Sequence, residues 1–136
     1  MRDKPNPGAC VPAPYFFEKL LNIMDTLLGE NGCPWDKEQT HESIRPNMIE
    51  ECNEAVEAID NGSMGQLKEE LGDVLLQVLF HAKIAEKNGH FTIEDVVNAL
   101  SDKLIRRHSH ICGGDTAKTA GDALKIWKLN KQKEKF

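Results

Sequence analysis

At 136 residues, with 22 acidic side chains against 17 basic ones and a formal net charge of −5, the chain has the length of one domain and no general basic surface for nucleic acid. No run of 18 apolar residues is present, and the opening MRDKPNPGACVPAPYFF has neither the apolar core nor the cleavage site of a signal peptide, so a cytoplasmic protein with no membrane partner is expected. The four cysteines, Cys10, Cys33, Cys52 and Cys112, are irregularly spaced, which excludes a C-x-x-C zinc or redox pair and makes Cys52 an expected small core residue.

Residues 1–14, with Pro5, Pro7, Pro12 and Pro14, are expected as a flexible tail, leaving 15–136 as a single domain. Phe16, Leu20, Ile23, Met24 and Leu27 recur at helical spacing and predict a first helix from Tyr15 to Leu28, stopped by Gly29. The loop GENGCPWDKEQTHES follows. A second helix is predicted from Pro46, tolerated in a first turn, to Asp60, with Asn61 and Gly62 as the exit. Ser63 and Gln66 form a capping box for a third helix ending at Asn88 and Gly89, and Thr92 caps a fourth that runs to about His108. A fifth, from Asp122 to Lys133, is polar enough to be an arm. No period-2 apolar run indicates a strand. The expected fold is therefore an all-α antiparallel bundle of four to five helices.

The third helix is apolar over most of its circumference, with Leu71, Leu75, Leu76, Val78, Leu79, Phe80, Ala82 and Ala85, and is expected to be largely buried. A polar arc of Glu70, Asp73, Gln77 and His81 nevertheless runs along it, and on the second helix Glu51 and Glu54 share a flank beside the stripe Met48, Ile49, Cys52, Ala55, Val56 and Ile59. Taking a carboxylate out of water costs several kcal/mol unless a cation or strong donors compensate. Four carboxylates facing one another from antiparallel helices repel unless a multivalent cation lies between them. Oxygen-only ligands point to Mg²⁺, with Mn²⁺ as a possible substitute.

On the fourth helix Ile93, Val96, Val97, Leu100 and Leu104 form the expected core stripe. Lys103 and Arg107 share its flank, while Arg106 points further out. A metal site accompanied by such cations suits a phosphate chain. Glu50 is a candidate water-orienting base, and Trp35 either packs on a nucleobase or plugs the end of the bundle.

The ordered set GCPWDKEQTHESIRP, EECNE, EELGD, LLQVLFHAKIAE and KLIRRHSHI resembles the MazG-type nucleoside triphosphate pyrophosphohydrolases over residues 17–131. The resemblance implies Mg²⁺-dependent hydrolysis of a nucleoside triphosphate to the monophosphate and pyrophosphate, and an all-α fold that forms at least a homodimer through bundle helices. Whether dimers pair into a tetramer is left open by it, as is a role in clearing damaged nucleotides or in controlling an alarmone. By position it puts the metal ligands on Glu51, Glu54, Glu70 and Asp73, the four already selected by helical geometry. It puts phosphate contacts on Lys103 and Arg107, and a substrate-binding aromatic and lysine on Trp127 and Lys131. A related pyrophosphatase specific for deoxynucleotides or phosphoribosyl-ATP would share the carboxylates, and a non-catalytic dimeric interaction module is the contrasting alternative. A di-iron bundle would need Glu-x-x-His pairs at this site, whereas position 54 is glutamate and position 73 aspartate.

Overall fold

The computed structural model describes residues 15–134, so the expected tail over 1–14 lies outside the described residues. Among those described there are seven helices and no strand: α1 (Phe16–Leu27), α2 (Pro34–Glu38), α3 (His41–Asp60), α4 (Met64–Lys87), α5 (Ile93–Arg107), α6 (Ser109–Cys112) and α7 (Ala120–Lys133). The all-α expectation holds. The chain divides into two compact units, one ending at Ile93 and the other beginning at Glu94.

Two helices beyond the expected four to five occupy segments expected as loops. Pro34 starts α2 directly after an extended Cys33, where its fixed φ is helical already and its missing N–H is not needed. α3 begins at His41, five residues before the expected Pro46, because Thr40 and Ser43 cap it reciprocally. The Thr40 hydroxyl accepts from the Ser43 N–H at 3.1 Å, and the Ser43 hydroxyl accepts from the Thr40 N–H at 2.8 Å. Pro46 thus falls beyond the first turn. Of the capping box expected at the start of α4 one half is formed, the Ser63 hydroxyl accepting from the Gln66 N–H at 3.3 Å, and Gly62 and Gly89, at φ +67° and +76°, supply the left-handed exits of α3 and α4.

Met24 of α1, Ile44 of α3, and Leu79, Phe80 and Ile84 of α4 form the core of the first unit, packed against Phe17, Leu20, Leu21, Leu28 and Ile93. Lys83 of α4 pairs with Asp25 of α1 and with Glu86, and so fastens α1 along the same end. Ala55 and Ala58 on α3, and Ala82 and Ala85 on α4, are buried as well.

α4 is not buried along its whole length. α1 meets it at Leu79, Phe80 and Ile84, while Leu71, Leu75, Leu76 and Val78 remain exposed, as do Ile49, Val56 and Ile59 on α3. Cys52 is exposed rather than a core residue. In the second unit the expected stripe of α5 is also open, with Val97, Leu100 and Leu104 exposed. α7 carries no buried residue, as its polar composition suggested. Its start is capped by Thr119, whose hydroxyl accepts from the Asp122 N–H at 3.1 Å. Ser109 links this unit internally, donating to Asp115 at 2.6 Å and accepting from Asn130 at 2.7 Å. Among the described residues no helix is long and apolar enough to cross a membrane.

Because Leu79 is almost fully buried among α1, α3 and α4, Leu79→Ala is expected to lose about 2–5 kcal/mol by removing apolar contact and leaving a cavity. Chemical denaturation of both proteins measures this, and a loss below about 1 kcal/mol would contradict the packing described.

Candidate metal centre

α3 and α4 form an antiparallel hairpin because only Asn61, Gly62 and Ser63 separate them. Three-residue spacing places Glu51 with Glu54 on α3 and Glu70 with Asp73 on α4, and the hairpin brings the two pairs together. One carboxylate oxygen from each of the four lies within 4.8 Å of the others. Glu51, Glu54 and Glu70 are half-buried and Asp73 is exposed. The Oε2 atoms of Glu51 and Glu70 are shut off from solvent and have no hydrogen-bond partner.

That arrangement is electrostatically unfavourable for bare carboxylates. Burial pushes the Glu51 carboxyl above its ordinary 4.5, reinforced by the charge and hydrogen bond of Glu54 and by the charges of Asp73 and Glu70. Burial likewise raises Glu70, followed by the hydrogen bond and charge of Glu54, then Asp73 and Glu69. Carboxylates this close are satisfied by protons or by a cation. The donor set fits a hard divalent cation: four carboxylates converge, two of them with an unpartnered buried oxygen, and no thiolate or imidazole is among them.

The polar arc of α4 continues beyond the carboxylates into the hairpin. Gln77 is 7 % exposed with its Oε1 unpartnered. His81 stacks on His41, ring centroids 5.1 Å apart and planes 1° from parallel, with their Nδ1 atoms 2.8 Å apart. One of those nitrogens must carry a hydrogen and the other must accept it. Burial, then the charge of His41, lowers His81 below 6.5. The sequence placed His81 on the arc but missed His41. The available signal was the hairpin register, which sets residues 51–54 against 70–73 and thereby brings the start of α3 to the level of His81.

The second unit holds a separate cluster. The Arg107 guanidinium carbon sits 4.9 Å from the centroid of the Trp127 ring, and the Lys131 ammonium 5.3 Å from the same centroid. Arg107 also donates to Glu134, through Nε at 3.2 Å and Nη2 at 2.9 Å, and Arg106 donates through Nε to the other oxygen at 3.2 Å. Arg107 is 14 % exposed and Arg106 54 %, which agrees with the register that turned Arg106 outward. Glu134 was not anticipated. Its signal was the spacing of Trp127 and Lys131 on one face of α7, continued by Glu134 at its C-cap. Lys103, Glu50 and Trp35 are exposed, and neither Glu50 nor Trp35 belongs to the carboxylate cluster.

Residues 39–112 match the family model described as the MazG nucleotide pyrophosphohydrolase domain. Over 119 residues the chain is 53 % identical to the nucleoside triphosphate pyrophosphohydrolase/pyrophosphatase MazG of Thermotoga maritima, covering 88 % of this chain and 45 % of that protein. It is 43 % identical over 119 residues to a nucleoside triphosphate pyrophosphohydrolase of Escherichia coli K12, covering 87 % and 45 %. The chain thus spans about half the length of these curated relatives. A mazG-related protein from Thermotoga maritima of known crystal structure superposes with a TM-score of 0.71 at 27 % identity, over 85 % of this chain and 98 % of that one.

The raised carboxyls make metal-free stability depend on pH. In the native cluster Glu51 and Glu70 hold protons more tightly than in the unfolded chain, so unfolding releases protons and stability falls as pH rises through the raised values. The penalty is complete above those values and vanishes below about 4.5, where both states are protonated. In a chelator, Glu70→Gln is expected to melt above the wild type at neutral pH, with the gap closing on acidification towards pH 4.5. A gap independent of pH would contradict the mutual repulsion.

Proposed function

The chain belongs to the MazG nucleotide pyrophosphohydrolase family, and from that premise we propose that it hydrolyses a nucleoside triphosphate to the monophosphate and pyrophosphate in a reaction that requires Mg²⁺. The observation that carries this reading is the convergence of Glu51, Glu54, Glu70 and Asp73 within 4.8 Å, with two buried oxygens unpartnered. These residues would hold the cation. When bound, it supplies charge neutralisation for the triphosphate and acidifies a water.

The remaining work falls to the chain's own side chains. The bond broken joins the α-phosphorus to the bridging oxygen of pyrophosphate, and charge builds on that oxygen as water adds from the opposite side. Arg107, with Lys103 and Lys131, would take the charge of the phosphate chain, and Trp127 would set the plane of the Arg107 guanidinium. Glu50, exposed beside Glu51 on α3, is the proposed water-orienting base, and Trp35 the residue packing on the base. Clearance of damaged triphosphates from the nucleotide pool is the role this chemistry suits, and relative turnover of modified and ordinary triphosphates tests it.

A homodimer is part of the same proposal. Leu71, Leu75, Leu76 and Val78 of α4, with Ile49, Val56 and Ile59 of α3, expose a band of large apolar side chains too extensive for an ordinary solvated hairpin. A second copy covering that band would bury it.

Two outcomes are expected. Glu54→Gln, nearly isosteric, should abolish pyrophosphate release while the fold remains intact, because it removes an anionic ligand and relieves repulsion at the same time. Wild-type turnover by this variant at limiting Mg²⁺ would remove Glu54 from the metal site. Sedimentation should find a dimer at micromolar concentration, and Leu71→Ala should weaken it; a folded, active monomer of the wild type would refute the assembly.

A further inference from the structure

Arg107 is held on two sides by its own unit. Its Nε and one hydrogen of Nη2 go to Glu134, and its guanidinium carbon lies over the Trp127 ring. A guanidinium has five N–H donors. Three remain, two of them on the edge formed by Nη1 and Nη2, in the fork that matches two oxygens of one phosphate. The clamp is built from one face of α7, where Trp127 and Lys131 follow at helical spacing and Glu134 continues them at the C-cap, against the last turn of α5. Glu134 does not neutralise the patch: Arg106, Arg107 and Lys131 set three cations against one carboxylate, so the cluster stays attractive to anions.

We propose that Glu134 is a positioning residue for triphosphate binding, which fixes the Nε edge of Arg107 so that the opposite edge stands preformed for the phosphate chain. This rests on the reading of Arg107 as a phosphate-binding residue. The sign of the effect is what makes the idea testable. If Glu134 acted only as a negative charge near the ligand, its removal would tighten anion binding by the few-fold expected of a screened charge. If it holds the fork in place, its removal frees a side chain whose rotamer entropy, about 2 kcal/mol, corresponds to roughly thirtyfold at most, and binding weakens.

The experiment uses the α,β-methylene analogue of the triphosphate that the wild type turns over fastest, titrated with Mg²⁺ into wild type, Glu134→Ala, Glu134→Gln and Arg107→Ala. Glu134→Ala is expected to weaken binding about tenfold, and Glu134→Gln, which keeps one acceptor oxygen, about threefold. Both should raise KM with little change in kcat. The Arg107 Nε–H resonance of the ligand-free wild type should be shifted and slow to exchange, and should lose both properties in Glu134→Ala, a change that a general structural defect would not localise there. If both Glu134 variants bind as tightly as the wild type or more tightly while Arg107→Ala weakens binding, Glu134 is only a competing charge and the inference fails with the phosphate reading intact. If Arg107→Ala changes neither binding nor turnover, the phosphate reading itself falls and takes the inference with it.

Discussion

The first unit is organised around one costly arrangement, the meeting of four carboxylates between two packed helices. Each part of the hairpin serves it. The short turn at Gly62 sets the register, and the paired three-residue spacings put the acids on facing flanks. Repulsion among these groups is strain that a hard cation would relieve, so affinity for such a cation and instability without it would come from the same contacts.

Stability is supplied elsewhere. The apolar core of this unit sits towards one end, where Met24, Ile44, Leu79, Phe80 and Ile84 meet and Lys83 ties α4 to α1. The carboxylates lie further along the hairpin, beside the half of α4 whose leucines remain exposed. Gln77 follows the carboxylates along α4, and the stacked His41 and His81 continue the polar line at the level of the core. The carboxylates are thus kept apart from the packing that holds the helices together, so the cost of gathering them is not borne by the core.

The second unit solves the opposite problem. Its cations are exposed or half-buried on a scaffold with no buried residue in α5 or α7, so hydrogen bonds and ring contacts hold the side chains in place of a core. Arg107 gains a carboxylate at one edge, and its guanidinium carbon lies over an indole. The Arg107 hydrogen bond first, with that of Arg106 and both charges, holds the Glu134 carboxyl below its ordinary range against the opposing effect of burial. Ion pairs this close to solvent add little to stability; what they fix is orientation.

How much of this was legible in the sequence follows from the range of each interaction. The all-α class, the exits at Gly62 and Gly89 and the four carboxylates were readable, because helical periodicity, turn chemistry and three-residue spacing act within one or two turns of chain. The start of α3 was misplaced because Pro46 outweighed the reciprocal cap of Thr40 and Ser43, a local signal that was present but unread. Burial was misjudged on Cys52, on the first half of α4 and on the stripe of α5, since an apolar face shows what can be covered and not what covers it. His41 against His81 and Glu134 against Arg107 join residues 40 and 27 positions apart. Sequence therefore determined which side chains share a helix face. Tertiary structure alone decided which faces meet, because contact between distant segments depends on how helices pack and not on the spacing within any one of them.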